Sequence, residues 1–415
     1  MTNPVLASPG KVKPVILCQA AASYQATLPA ALFRAGMLRR VICSVPELQI
    51  LEPTAAGDLE IVKRYLLYKA CRAFLWRAWG ALARQTKPQL PIVATSWLAG
   101  RLLAPWVAED SIFHGLPGLM LPALRAREGC LTSLLENASL HARCWQREVR
   151  HECAQAGMEP GRCAATLPPA LIRRLEREYE LCDAIIVPST TARRSFAEFG
   201  LGHKTHIVWP GVDSDFFSPS QEPSPSSAFR VCFVGRIELA KGIMYLLQAW
   251  KLLALRNAEL VLVGPVQPHI RSILSHYSRS NIVLTGALPP RQVVQQYRSA
   301  HVFLHPSANE GLGLVLLEAM ACGLPVIATD RSGAEDCVTH GGDGFVIPAR
   351  RVKELAEAIS WCFHHRFELL AMGKAARNKV LRRFTRPRYE ARQIALYHSL
   401  MGLSQAASQR PAAFS

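Results

Sequence analysis

From residue 230 to residue 329, short β-branched runs alternate with helical stretches, and this alternation constrains the fold more than any other feature. "RVCFVG" (230–235) reads as a strand and "KGIMYLLQAWKLLA" (241–254) as a helix. "ELVLVG" (259–264) and "NIVLTG" (281–286) are further strands, "RQVVQQYRSA" (291–300) is a helix, and "HVFLHPS" (301–307) is a strand. A helix starting near Leu312 and the strand "PVIAT" (325–329) complete the series. Repetition at this spacing predicts a parallel, doubly wound α/β sheet.

The first half is less regular but similar in kind. Its expected strands are "PVILCQ" (14–19), "PIVATS" (91–96), "DAIIVPS" (183–189) and "HIVWPG" (206–211), with helices at 170–182 and 189–200. Lys11 and Lys13 before "PVILCQAAASY" imitate a secretory signal, but Gln19, Tyr24 and Gln25 interrupt the apolar run. A strand, a loop and a helix from near Ala26 fit better. "FFSPSQEPSPSSAF" (216–229) is Pro/Ser-rich and nearly uncharged, as a linker would be. The expected organisation is a first domain at 1–216, a linker at 217–229, a second domain at 230–385 and a disordered tail at 403–415. Two Rossmann-like domains would face across a cleft at the carboxyl ends of both sheets, where open α/β sheets bind ligands.

Composition narrows the function classes. The 415 residues have ample length for two large cores, and 50% of them are hydrophobic. No uncharged apolar run reaches membrane-spanning length. The 12 cysteines are irregularly spaced, with no paired Cys/His cluster, so free thiols in a reducing, cytoplasmic setting are expected. The net charge of +17 fits anionic partners such as nucleotide phosphates or a membrane face. Nucleic acid is not expected, because no recognition signature accompanies the charge.

"NEGLGLVLLEAMACGLPVIATD" (309–330) places two carboxylates, Glu310 and Glu318, in an apolar stretch. Gly311 and Gly313 keep Glu310 in a loop at a strand's carboxyl end, while Gly323 and Pro325 end the helix that carries Glu318. The helix N-terminus then offers free N–H groups and a dipole to a phosphate. Glu318, on a buried helix, needs partners, which ribose hydroxyls or a structural arginine would supply. In "FVGRIELAKG", Gly235 ends a strand, and Arg236 and Lys241 flank the turn into the next helix, at the same sheet end. A diphosphate there needs such cations.

Together, "FVGR…KG", "LVG", "TG", "HPS…EGLGLVLLEAMACGLPVIAT" and "GVDSDFFSP" resemble the family 4 retaining glycosyltransferases of the GT-B fold. The resemblance covers the C-terminal half densely and residues 170–217 fairly well. It implies two Rossmann-like doubly wound domains and a nucleotide-sugar donor, UDP- or GDP-linked, with no separate cofactor. Arg236 and Lys241 would hold the donor diphosphate, Glu318 the ribose, and Glu310 would lie near the donor sugar as the catalytic carboxylate. The backbone of Gly311, Leu312, Gly313 and Leu314 would support sugar and phosphate, and backbone near Leu288 would meet the base. The stretch 386–402 would be a helix crossing back to the first domain. "ENASLHARCWQREV" (136–149) resembles a stretch carrying an active-site histidine in some members, which maps to His141; a structural histidine is the other reading. "AAASYQ" (20–25) lacks the glycines common in the family's first loop.

Two motifs mislead. "DSD" (213–215) imitates a metal-binding D-x-D but sits in a turn before "FFSP", so no metal is expected. "HGGDGF" (340–345) imitates a phosphate loop but precedes a strand. "KRYLLYKACRAFLWRAWGALARQTK" (63–87) carries seven Lys/Arg and no acid. It could lie on an anionic membrane face, placing the protein peripherally on the inner surface; an ordinary packed helix is the alternative.

The expected function is metal-independent transfer of a sugar, with retention, to a hydroxyl of a glycan, polysaccharide or glycolipid. The alternatives are another GT-B enzyme (a phosphorylase or nucleotide-sugar epimerase) and a non-enzymatic basic binding protein. A nicotinamide dehydrogenase is disfavoured because neither half opens with G-x-G-x-x-G.

Overall fold

The computed structural model describes residues 15–19, 28–43, 60–61, 111–125, 132–159, 166–220, 228–277 and 281–408. The basic stretch 63–87, the loop at 20–25, the strand expected at 91–96, most of the linker (221–227) and the end of the tail (409–415) lie outside them.

The chain forms two compact units. One comprises Met1–Glu136, Pro169–Ile185 and Glu390–Ser415, the other Asn137–Pro168 and Ile186–Tyr389. The division is therefore not a single cut at the linker. Val149 and Cys153, on the helix Ala142–Gln155, belong to the same core cluster as Phe229 and Leu246, which ties that helix to the second unit.

The first sheet has the order β3-β2-β1-β4-β5-β6-β7. Its strands are β1 (Val15–Gln19), β2 (Leu38–Cys43), β3 (Glu60–Ile61), β4 (Ile112–Gly115), β5 (Thr132–Glu136), β6 (Ala184–Val187) and β7 (Thr205–Ile207). The helices of this part of the chain are α1 (Leu28–Arg34), α2 (Leu121–Arg125), α3 (Ala142–Gln155), α4 (Pro169–Leu181) and α5 (Thr190–Ala197).

The second sheet has the order β10-β9-β8-β11-β12-β13, and all its pairings are parallel. Its strands are β8 (Phe229–Val234), β9 (Ala258–Val263), β10 (Ile282–Gly286), β11 (Val302–His305), β12 (Val326–Thr329) and β13 (Gly344–Ile347). The helices are α6 (Ile243–Leu253), α7 (Arg271–Ser275), α8 (Pro290–Ser299), α9 (Leu314–Ala321), α10 (Val352–His364), α11 (Arg366–Arg383) and α12 (Arg386–Ser408).

The inner strands β8, β9, β11 and β12 are largely apolar on both faces because both faces are covered. Val231, Phe233, Leu260, Leu262 and Leu304 point into one core with α6 and α10. The alternate residues Cys232, Val234, Val261, Val263 and Phe303 point into the other core, with α8, α9 and α11. Burying each large side chain stabilises the fold by about 1.5–3 kcal/mol. The order in which successive strands are added reverses between β8 and β11, and the loops leaving these adjacent parallel strands share the carboxyl edge, the usual ligand position in such sheets.

Those two loops are fastened together. Gly242, between the turn after β8 and α6, has φ +71, and a Cβ there would lie 1.9 Å from the Pro306 carbonyl oxygen. Only glycine allows that approach. The Ala308 N–H donates to the Ala240 carbonyl at 3.0 Å, and the Ser307 hydroxyl donates to the same oxygen at 3.2 Å.

Candidate active site

Three loops leaving adjacent strands build a charged cluster. The β8 loop ends in the 3-10 turn Leu239–Lys241, the β11 loop carries Glu310, and the β12 loop supplies Arg331. The Lys241 Nζ lies 2.5 Å from Glu310 Oε2. His305, the last residue of β11, places Nε2 3.0 Å from the same oxygen. The Glu310 N–H donates to the Arg331 carbonyl at 3.0 Å, which fixes the backbone of the loop. Burial pushes the Glu310 carboxyl up, but Lys241 and His305 together outweigh it and hold the carboxyl well below the usual range. The cluster is partly open: side-chain exposure is 13% for Lys241 and 21% for Glu310.

Helix α9 begins directly after this loop. Its N-cap, Gly313, has no side chain to accept from the first turn; the Leu316 N–H donates to the Gly313 carbonyl at 2.9 Å, while the N–H groups of Leu314 and Val315 remain suited to an anion. A Cβ at Gly313 would lie 2.4 Å from His305 Nε2. Glycine here lets the imidazole sit against the start of the helix. Gly311 is equally crowded: a Cβ would approach the Ala138 carbonyl at 2.8 Å. Its own carbonyl accepts a short hydrogen bond from the Ser189 hydroxyl. Leu312 is buried, and Leu314 packs partly buried against the α9 core.

Glu318 is the fifth residue of α9. The Tyr297 hydroxyl, from α8, donates to its Oε2 at 3.0 Å. Burial raises the Glu318 carboxyl to about 7, and the tyrosine hydrogen bond opposes this only in part. The tyrosine is itself pushed well above its ordinary value, by burial first and by Glu318 second. Glu310 and Glu318 therefore stand in opposite electrostatic states, although they share a loop–helix unit.

Arg236 stands apart from the Lys241 cluster. Its Nη2 lies 3.0 Å from the buried Glu238 Oε1, and its side chain is 53% exposed. Leu288 lies between β10 and α8 and packs partly buried against the α9 core.

His141 is the N-cap of α3. Its Nδ1 accepts from the Arg143 N–H at 3.3 Å, and its ring stacks on Phe199 and meets Phe196 edge-on. This gives one ring nitrogen a structural task.

The Asp213 Oδ1 accepts from the N–H groups of Asp215 and Phe216, an Asx turn, while Oδ2 pairs with Arg386 at 2.8 Å. Among the described residues no group of three His, Cys, Asp or Glu side chains has the arrangement of a metal site.

A polar pocket beside Ala308 and Arg331 is also lined by Arg147, Arg194, Glu198 and Glu335. Arg147 is bound to Glu198 at 3.0 Å and Arg194 to Glu335 at 2.8 Å, so these two arginines already have counter-ions.

Sequence reasoning missed His305, Tyr297 and Glu238. His305 was visible as the polar end of the strand "HVFLHPS". Glu238 was visible as an acid between the two cations. Tyr297 carried no signal except that a buried Glu318 needs a donor from another element.

Comparison with known proteins bears on this geometry. The family model described as "Glycosyl transferases group 1" matches residues 215–379. The GDP-mannose-dependent alpha-(1-6)-phosphatidylinositol monomannoside mannosyltransferase of Mycobacterium tuberculosis is 29% identical over 303 residues, 68% of this chain and 73% of that protein. A D-inositol 3-phosphate glycosyltransferase of Pseudarthrobacter chlorophenolicus is 28% identical over 49% of this chain and 54% of that protein. Among solved structures, sucrose-phosphate synthase from Thermosynechococcus elongatus superposes with a TM-score of 0.70 at 21% identity, covering 94% of this chain and 100% of its own. Anabaena HepE in complex with UDP gives 0.60 at 17% identity, covering 93% of this chain and 99% of its own.

Proposed function

We propose that the chain is a group 1 glycosyltransferase of the GT-B fold that transfers a sugar from a UDP- or GDP-linked donor to a hydroxyl of a glycan or lipid-linked acceptor, without a metal and with retention. The observation that carries this reading is the Lys241–Glu310–His305 contact beside the uncapped N-terminus of α9. A lysine cation and free N–H groups converge there, one helical turn from a second carboxylate.

The leaving diphosphate gains negative charge as the glycosidic bond lengthens. Lys241, Arg236 and the α9 N-terminus stabilise that charge, taking the place a divalent ion holds in other transferases. The Glu310 carboxylate, kept ionised by Lys241 and His305, faces the positive charge that develops on the sugar. Glu318 grips the ribose once it is deprotonated. The names of the relatives support the donor class: one is called GDP-mannose-dependent and one solved neighbour holds UDP.

Among the described residues no helix is long and apolar enough to cross a membrane. Contact with an anionic surface through residues 63–87 is part of the proposal, and co-sedimentation with anionic vesicles tests it.

The deciding experiment is a thermal-shift screen against UDP-, GDP- and ADP-sugars, followed by a transfer assay with the stabilising donor in excess EDTA. One donor raises the melting temperature by mass action, and transfer survives chelation. Stabilisation by none of them sinks the donor reading. Activity that vanishes with EDTA and returns with Mn²⁺ or Mg²⁺ sinks metal independence.

A further inference from the structure

The loop that carries Lys241 and Arg236 also carries a carboxylate with no part in the chemistry above. Glu238 caps the turn Leu239–Lys241, and its side chain is 1% exposed. Neither of its oxygens receives an aligned hydrogen bond among the described residues. Among the described residues it forms an ion pair with Arg236, with Nη2 3.0 Å from Oε1. Burial pushes its carboxyl up; Arg236 and Lys241 pull it back, and Glu310 adds to the rise.

Burying an anion this way is costly, and a donor diphosphate arriving nearby makes it costlier. The charge therefore needs a task that the neighbouring lysine does not already perform. Lys241 is held by Glu310, on a loop fastened to the β11 loop. Arg236 has no such support: its side chain is 53% exposed and reaches back to Glu238 through one nitrogen. A guanidinium has five N–H donors in a fixed fork. Tethering one edge leaves the others free and removes rotamer freedom before any ligand arrives.

Resting on the diphosphate reading above, we propose that Glu238 is a positioning residue: it holds the Arg236 guanidinium at the mouth of the β8 loop so that its free N–H groups meet the donor diphosphate. The rival reading is that Glu238 is a fixed anion that competes with the diphosphate for Arg236. The two predict opposite signs when the carboxylate is removed.

Isothermal titration with UDP, GDP and inorganic pyrophosphate, on the full chain, distinguishes them. The proteins are the wild type, R236A, E238A, E238Q and the double variant R236A/E238A, with circular dichroism to confirm folding. R236A should weaken binding roughly tenfold or more, and E238A about fivefold. The double variant should bind no more weakly than R236A alone, because Glu238 acts through Arg236. E238Q, which keeps an acceptor of the same size, should retain more affinity than E238A and serves if E238A does not fold. In steady state, E238A should raise the donor KM with a smaller change in kcat. Tighter binding by E238A, or a double variant weakened by the product of the single effects, overturns the positioning role. If R236A binds like the wild type, or the wild type binds none of the three probes, the diphosphate reading itself fails and this role fails with it.

Discussion

In the first unit, His114 on β4 meets Glu136 at the end of β5, Nε2 to Oε2 at 3.2 Å; in the second, His305 at the end of β11 meets Glu310 at 3.0 Å. The residue types and distances match, but the surroundings do not. The other His114 nitrogen, Nδ1, lies 2.6 Å from the Tyr397 hydroxyl on α12. A proton on Nε2 satisfies both contacts, with the tyrosine donating to Nδ1. Both side chains of that pair are almost wholly buried. His305 Nδ1, by contrast, is buried with no hydrogen-bond partner among the described residues, and Glu310 is partly open and shared with a lysine. A closed network fastens an element; an open one with spare charge can receive a ligand. The difference lies in the third partner: a neutral tyrosine in one case, a cation in the other.

The largest effect should come from breaking the open cluster. Lys241→Ala and Glu310→Gln remove charge-assisted contacts worth about 1.5–3 kcal/mol, so transfer should fall about tenfold or more, with near-normal melting. Glu310→Gln should act mainly on kcat. Steady-state kinetics beside circular dichroism provides the check, and full activity in both folded variants would erase the functional contrast between the clusters.

The closed cluster should respond in the opposite way. Glu136→Gln and Tyr397→Phe should each cost about 1–3 kcal/mol in a urea titration and leave donor affinity unchanged. A loss of donor affinity without a loss of stability would assign the first-unit cluster a ligand role.

The smallest effect concerns Glu318. Its folded pKa, about 7, lies above the ordinary carboxylate value because of burial. The native state thus holds a proton that the unfolded chain has lost, and stability should fall as pH rises from the ordinary carboxylate range to about 7, then level off. Glu318→Gln should remove that slope, a change of about 2–4 °C in melting temperature. Donor affinity should move the other way, rising with pH as the carboxylate ionises. The same variant should raise the donor KM a few-fold with little change in kcat. A melting curve with the same pH slope in both proteins would contradict the assignment.

Local pattern carried much of the fold. The strand expected at 230–235 is β8, Phe229–Val234, and the helix expected at 241–254 is α6, Ile243–Leu253. Alternation inside β-branched runs needs no distant partner to be read. The strands β2, β4 and β5 and the helix α3 were not expected, although they position Glu136 and His141. β2 reads as "LRRVIC", where two arginines break the apolar run. β4 is only four residues long and ends in histidine and glycine.

The amino-acid sequence by itself determined that Glu310 sits in a loop and Glu318 on a helix, because Gly311 and Gly313 disfavour helix and the apolar run after them favours it. It also determined that Arg236 and Lys241 flank a strand-to-helix turn. Only the tertiary structure decided which charges meet. Lys241 and Glu310 are 69 positions apart in the chain, and they touch because β8 and β11 are neighbours where the order of strand addition reverses. Tyr297 reaches Glu318 from a separate helix on the same face, and Arg236 turned to Glu238 instead of joining Lys241. Periodicity is written residue by residue, whereas the partner of a buried charge is set by strand order, which no local pattern encodes.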